Sequence, residues 1–235
     1  MVSAQARCFS EANPELSLWR RAGVEALGTL LLVLAGCGAG IAASRLFVAT
    51  PGLVLPVVTL ALAGALVALI VAFGSVSGGH FNPLITMLQW LAGERSGLCT
   101  AAYVAAQLAG GAFGGLIAAG LWQAVAIDER GLGWGGVASE LVATAGLMLV
   151  VFGCARGRRA ETGPFAVGAW LVAGIISTPT TSYANPAVLL GALVTAGPLS
   201  LSVGSALPYV LGEAAGALIA LVVVWVLFPR PETAA

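Results

Sequence analysis

The sequence contains no lysine and a single histidine, and only 9% of its 235 residues are charged. Soluble globular domains carry about 25% charged residues, so this chain lacks the polar surface that such a domain needs. The net charge is zero, and the absence of a basic block or an acidic tail argues against a nucleic-acid partner. In contrast, 59% of the residues are hydrophobic and the mean hydropathy is +1.00. This composition predicts a membrane protein whose main surroundings are lipid.

Residues that carry chemistry are equally scarce. The four cysteines are far apart, without a Cys-x-x-Cys pair or a neighbouring histidine, and His80 cannot form a metal site alone. They are Cys8, Cys37, Cys99 and Cys154. No nucleophile with an accompanying base is recognisable. We therefore expect no metal, no disulfide, no cofactor and no enzymatic activity.

Six apolar stretches approach the roughly 20 residues that cross a bilayer as a helix. They cover residues 22–43, 54–74, 98–122, 136–155, 164–178 and 205–228. Two further apolar segments, 83–91 and 186–195, are too short to cross and predict re-entrant half-helices. The sequence thus predicts an all-α membrane protein with six transmembrane helices and two half-helices.

The two halves of the chain resemble each other. In the first and fourth spans a glutamate is followed by a threonine four residues later, and in the third and sixth spans a tyrosine precedes an amide or acid by four residues. The pairs are Glu25 and Thr29 with Glu140 and Thr144, and Tyr103 and Gln107 with Tyr209 and Glu213. Because each half holds three spans, the second must enter the membrane from the opposite side. We predict one channel domain, 18–229, built of repeats at about 18–123 and 134–229, with polar tails at 1–17 and 230–235.

Each half also contains an Asn-Pro motif at the start of its half-helix, Asn82-Pro83-Leu84 and Asn185-Pro186-Ala187. Asparagine is a favoured N-cap and proline a favoured first helical residue. Non-helical backbone at membrane depth is tolerated where it lines a cavity, so these helix starts predict a lumen. The dipeptide alone is weak evidence, since Asn13-Pro14 in the N-terminal tail also contains it. Its recurrence at equivalent places in both repeats favours a pore.

Two half-helices that start near the bilayer centre would point their partly positive N-termini at each other, which opposes cations. If the oxygens of Asn82 and Asn185 cap their own helices, the amide donors can bond a passing solute. Such a site selects neutral, hydrogen-bonding molecules by its dipoles and diameter.

The arginines predict the orientation of the chain. On a six-span model eight of the ten arginines lie on one side, and Arg45 and Arg130 lie on the other. The eight are Arg7, Arg20, Arg21, Arg95, Arg156, Arg158, Arg159 and Arg230. Since positive residues concentrate inside, both termini are expected in the cytoplasm.

The segment Ser77-Gly-Gly-His80-Phe-Asn82-Pro83 closely resembles the first pore loop of the aquaporin, or major intrinsic protein, family. The resemblance implies an hourglass fold, a homotetramer with one pore per subunit, and a passive channel for small neutral solutes in a bacterial inner membrane. It also implies that Glu25, Glu140 and Gln107 support the pore loops. His80 is expected to brace its loop, with a pH gate as the alternative.

Two departures from the family pattern stand out. The first motif ends in Leu84 in place of alanine, and the residue after the second motif is Val188, where the family usually has a pore-lining arginine. Carried over by spacing, the family's filter falls on Leu62, Ala173, Ser182 and Val188. This wide, uncharged filter resembles that of a bacterial aquaglyceroporin branch found with arsenic-resistance genes.

The resemblance implies polyols, arsenic hydroxides or methylated arsenicals as solutes, with some water. A water-selective or a general glycerol and urea channel is the alternative. A secondary transporter of ion-coupled type would need acidic residues at the broken helices, and segments 77–92 and 177–197 contain none. For Glu213, which matches Gln107 across the repeat, two alternatives stay open: it lines a lumen, or it lies protonated at a subunit contact.

Overall fold

The computed structural model describes residues 16–124, 132–157, 159 and 161–228. Within these ranges the chain forms eight α-helices and a short 3-10 turn at Pro51–Leu53. The six longer helices are α1 (Leu18–Leu46), α2 (Val54–Ser77), α4 (Gly97–Trp122), α5 (Gly133–Arg156), α6 (Gly163–Ser177) and α8 (Val203–Leu227). The two half-helices are α3 (Pro83–Leu91) and α7 (Pro186–Val194). The order of two spans, a half-helix and a third span therefore occurs twice.

Five of the helices are long and apolar enough to cross a membrane, and α6 is shorter, with 15 residues. At 1.5 Å per residue α6 spans about 22 Å, less than the roughly 30 Å hydrocarbon core of a bilayer. The predicted all-α architecture is confirmed. The predicted spans were too short at some ends, most clearly in α1, which begins at Leu18 and not at residue 22. The helix continues beyond its apolar stretch because Arg20 and Arg21 can lie at the membrane surface.

Close backbone approach holds the long helices together. The helix α1 packs against α2 and α4, and α5 packs against α6 and α8. Gly110 and Gly114 of α4 lie against backbone carbonyls of α1, and Gly212 and Gly216 of α8 lie against those of α5. A Cβ atom at any of these positions would meet backbone, so only glycine permits this spacing.

Most described arginines lie on the face of the bundle at which α1 begins, here called the arginine-rich face. They are Arg20, Arg21, Arg95, Arg156 and Arg159. On this face Arg156 at the end of α5 forms a 2.6 Å ion pair with Glu94, which follows α3. Arg45 lies at the opposite face, where it donates a 2.6 Å hydrogen bond to the carbonyl of Trp122. Four further arginines lie outside the described residues: Arg7, Arg130, Arg158 and Arg230. Cys8 and Asn13-Pro14 also lie outside them.

Candidate functional site

Both half-helices begin at the asparagine of their Asn-Pro motif. Asn82 Oδ1 accepts a 2.9 Å hydrogen bond from the Leu84 N–H, and Asn185 Oδ1 accepts a 3.0 Å bond from the Ala187 N–H. Proline occupies the first helical position in each case and adds no orphan N–H. The asparagine side chains are therefore fixed by the helices that they cap.

The same side chains also join the two half-helices. Asn82 Nδ2 donates a 2.9 Å hydrogen bond to the Ala184 carbonyl, and Asn185 Nδ2 donates a 2.8 Å bond to the Phe81 carbonyl. An amide nitrogen carries two hydrogens, so one N–H of each asparagine is left for a solute. The sequence-based expectation had assigned all the amide donors to the lumen. One N–H of each side chain instead holds the opposite loop.

The loops that precede the two asparagines share one backbone conformation. Positive φ angles occur four, three and one residues before each asparagine. In the first loop they are +97° at Gly78, +64° at Gly79 and +48° at Phe81. In the second loop they are +61° at Thr181, +55° at Ser182 and +46° at Ala184. Left-handed backbone is costly for residues other than glycine, so the second loop stores more strain than the first.

Glu25 of α1 holds the first loop. Its Oε1 accepts hydrogen bonds from Ser77 Oγ at 2.6 Å and the His80 N–H at 3.1 Å. Its Oε2 accepts from the Phe81 N–H at 2.7 Å and from Gln107 Nε2 at 2.8 Å. Glu25 is fully buried. Four donors around two oxygens satisfy a buried carboxylate, so this side chain fixes the loop and does not face the lumen.

His80 is buried and bonded on both ring nitrogens. Its Nδ1 lies 2.9 Å from Thr86 Oγ1, and its Nε2 lies 3.5 Å from a guanidinium nitrogen of Arg95. A guanidinium can only donate, so Nε2 accepts and Nδ1 carries the proton. Thr86 Oγ1 also accepts from Gln107, which links His80 to the bonds around Glu25. This arrangement favours the bracing role over a gate.

In the second half Glu140 of α5 takes the place of Glu25. Glu140 Oε1 accepts from the Tyr183 N–H at 3.1 Å, and Oε2 accepts from the Ala184 N–H at 2.7 Å. Glu213 of α8 adds a third bond, because its Oε1 accepts from the Asn185 N–H at 2.6 Å. Two fully buried carboxyl groups thus hold three successive residues of the second loop.

A cavity of about 570 Å³ runs along both loops. One wall is polar and includes Gly78, His80, Asn82, Ser182 and Asn185. The other wall consists of aliphatic side chains from several spans, among them Leu66, Ile70, Leu147, Val151, Val167 and Leu171. Among the described lining residues the only Arg, Asp or Glu side chains are those of Arg159 and Glu161, which follow α5 at the arginine-rich face. The middle of the cavity therefore offers hydrogen bonds and apolar contact without formal charge.

The comparisons with known proteins identify this arrangement. Residues 13–183 match the family model described as Major intrinsic protein. The chain belongs to the major intrinsic protein family. It is a multi-pass membrane channel, and the family consists of passive channels and not of enzymes.

Similar proteins include both aquaglyceroporins and aquaporins. The chain is 37% identical to Aquaglyceroporin AqpS of Rhizobium meliloti over 232 residues, covering 94% of this chain and 99% of the relative. It is 33% identical to Aquaporin Z of Photorhabdus laumondii over 195 residues, covering 72% and 80%. The solved structure of the aquaglyceroporin from Plasmodium falciparum matches with a TM-score of 0.69 at 20% identity, covering 88% of this chain and 96% of that one. At that identity the solved structure supports the fold alone.

Three of the four residues expected to form the family's filter line the cavity: Leu62, Ser182 and Val188. Ala173 does not, since it is exposed on the outer side of α6. Its neighbour Gly174 is buried and faces Ser182, because a Cβ at Gly174 would lie 2.9 Å from Ser182 Oγ. The residue of α6 that packs against Ser182 is therefore Gly174.

The sequence did not single out the other residues at this end of the cavity. Tyr183 lines it beside Ser182, and Leu62, Tyr183 and Val188 also border a small adjoining cavity of about 10 Å³. Tyr183 donates a 3.2 Å hydrogen bond from its hydroxyl to the Leu199 carbonyl in the segment after α7. In the sequence, only its position directly after Ser182 could have indicated that Tyr183 lines the cavity.

Leu84 and the equivalent residue of the second half, Ala187, pack in different surroundings. Ala187 lies against Gly111 of α4, where an added Cβ would meet the Ala187 carbonyl. Leu84 belongs instead to a buried apolar cluster with Ala217 and Leu221 of α8. The larger side chain thus belongs to the apolar core, whereas α7 approaches the backbone of α4 directly.

Proposed function

We propose that this major intrinsic protein is a passive channel for neutral solutes bulkier than water. Polyols, arsenic hydroxides and methylated arsenicals are the solute classes, and some water accompanies them. The observation that carries the proposal is Val188, an uncharged side chain on the cavity wall at the position where the family usually has arginine. Gly174 packs directly against Ser182, which lies on the same wall. An aliphatic side chain at position 188 leaves more room than a guanidinium.

The two walls of the cavity suit such solutes. A polyol or an arsenic hydroxide presents hydroxyl groups that can bond Ser182 and the free N–H groups of Asn82 and Asn185. The aliphatic wall contacts the remaining surface of the solute without trapping it. The N-termini of α3 and α7, each worth roughly half a positive charge, oppose cations at the level of the asparagines.

The positions of the buried acids support passive flow over ion coupling. Glu25 and Glu140 bond the backbone of the loops from behind, and neither belongs to the described residues that line the cavity. An ion-coupled transporter would need acidic groups at the broken helices. A general glycerol and urea channel or a water-selective channel is the competing solute assignment.

We further propose that the arginine-rich face is the cytoplasmic side of a bacterial inner membrane, with both termini on that side. Positive residues concentrate on the inner side of membrane proteins, and five described arginines lie on this face. We also propose a homotetramer, as the family resemblance implies. Exposed apolar side chains on the outer faces of the bundle, such as Phe113 and Leu116, leave room for lipid or neighbouring subunits.

Solute flux in proteoliposomes tests the assignment of solutes. Water, glycerol and arsenous acid should enter vesicles that carry the native chain, without any ion gradient. Val188→Arg should slow glycerol and arsenous acid about tenfold or more, equivalent to about 1.4 kcal/mol of added barrier, and should affect water less. Val188→Met is the matched control, because it adds length without charge.

Two outcomes would contradict the proposal. Equal uptake of the bulky solutes by the native chain and Val188→Arg would show that residue 188 does not set the selectivity. Uptake that requires an ion gradient would exclude a passive channel.

A further inference from the structure

The two halves of the channel differ at one buried position. Gln107 of α4 donates a 2.8 Å hydrogen bond to Glu25, and the equivalent residue on α8 is a second acid, Glu213. The carboxyl groups of Glu140 and Glu213 lie beside each other, because they accept hydrogen bonds from the adjacent N–H groups of Ala184 and Asn185, and both side chains are fully buried. An amide and a carboxylate in the first half thus correspond to two acids in the second.

The hydrogen bonds of the pair leave one oxygen without a donor. Both oxygens of Glu140 and Oε1 of Glu213 accept bonds from backbone N–H groups. Glu213 Oε2 is buried and meets no N–H or O–H donor among the described residues. Among the described residues no cation lies beside the pair. The helices α3, α6 and α7 and residues 178–185 contain no charged residue, and Arg156 lies at the far end of α5.

We propose that Glu140 and Glu213 share one proton, and that Glu213 uses it to donate a hydrogen bond to Glu140. Two contacting carboxylates in a buried site cannot both ionise, because their charges repel each other and each is cut off from water. A carboxylic acid has one O–H donor and a free acceptor oxygen. It can therefore accept the Asn185 N–H and donate to Glu140, as Gln107 does to Glu25.

This proton positions a residue of the pore. Glu213 holds the backbone N–H of Asn185, whose side chain lines the cavity and caps α7. The second loop needs this additional bond because its left-handed positions carry no glycine, whereas the first loop has Gly78 and Gly79. Glu213 is thus a positioning residue. The inference requires only the channel and not the proposed choice of solutes.

Infrared difference spectroscopy on the reconstituted channel tests the shared proton. The native chain minus Glu213→Gln should show the C=O band of a protonated carboxylic acid, which shifts in D2O. The Gln variant should keep native stability and flux within about twofold, because an amide offers the same donor and acceptor as the acid. Glu213→Leu, of similar size but without polar atoms, should lose most flux because the Asn185 N–H is left unpaired.

The equivalent change in the first half provides a positive control for the assignment of the band. Gln107→Glu places a second acid beside Glu25 and should add a protonated-acid band of its own. The proposal is overturned if the native chain shows no such band, or if the band persists in Glu213→Gln. It is also overturned if Glu213→Gln loses flux for water and glycerol alike. A failure of solute discrimination at Val188 would leave all these results unchanged, so the two proposals fail separately.

Discussion

Glu25→Gln tests how much of the first loop depends on one carboxylate. The native side chain accepts four hydrogen bonds and donates none, so we assign it a full negative charge. Glutamine has the same shape but replaces one oxygen with a donor. Whichever way the amide is turned, at least one N–H group of the protein then faces another N–H.

The cheaper orientation of the new amide sets the expected cost. With nitrogen at the Oε1 site, Ser77 Oγ can rotate and accept, but the buried His80 N–H loses its partner, which costs about 1–3 kcal/mol. The bonds from Phe81 and Gln107 then end on a neutral acceptor and weaken by about 1 kcal/mol each. The sum is about 3–5 kcal/mol. The opposite orientation costs at least as much, because the Phe81 N–H then loses its acceptor and Gln107 can accept the new N–H only by turning its amide and giving up its bond to Thr86.

Thermal unfolding of the detergent-solubilised channel measures this loss. A cost of about 3–5 kcal/mol should lower the Tm by roughly 10 °C in a chain of this size. Thr144→Val is the matched control, because Thr144 is buried on the equivalent helix and its Oγ1 has no partner among the described residues. It should leave the Tm within about 2 °C. If Glu25→Gln is as stable as this control, Glu25 is neutral and the first loop is held differently.

Two further variants address the differences between the halves. Leu84→Ala, which would restore the family's usual motif, should instead destabilise the protein by about 2 kcal/mol because it leaves a void in the buried apolar cluster that contains Leu84. An unchanged Tm would mean that the surrounding side chains close the void. Thr181→Gly should raise stability by about 1 kcal/mol, because Thr181 has a φ of +61° and the equivalent residue of the first loop is Gly78. A lower Tm would show that the threonine side chain stabilises the loop by more than its backbone strain costs.

The half-helices could be predicted almost to the residue because their starts are encoded locally. Asparagine followed by proline supplies both the cap and the first helical residue, and the structure begins α3 at Pro83 and α7 at Pro186. The ends of the spans were less accurate, since helices continue into the membrane surface after the apolar sequence stops. The 3-10 turn at Pro51–Leu53 was not predicted because no apolar periodicity marks it.

The filter residue predicted on α6, Ala173, does not line the cavity, because counting back from Asn185 assumes a fixed loop length. An error of one residue turns a helical side chain by about 100°. That rotation moves the predicted Ala173 to the outside and leaves Gly174 facing Ser182. The loop contains left-handed residues at Thr181, Ser182 and Ala184, whose conformation sequence patterns alone do not specify.

Glu213 shows a second limit of prediction from the sequence. Its alignment with Gln107 was visible in the sequence, but its partner was not. Whether a buried acid is charged depends on which groups surround it, and the contact with Glu140 joins residues that are 73 positions apart. Only the packing of α5 against α8 brings the two acids together.

The residues that hold the pore loops and the residues proposed to select solutes form separate sets in this channel. Glu25, Glu140 and Glu213 bond the loops from behind the wall, and changes there should alter stability and the passage of all solutes together. Leu62 and Val188 lie on the wall itself. Since neither side chain can hydrogen-bond the loops, their replacement should change the ranking of solutes while leaving the Asn-Pro geometry intact. The proposed wide filter is therefore compatible with a rigid pore, because the acids that hold the loops do not lie at position 188, where the family usually has arginine.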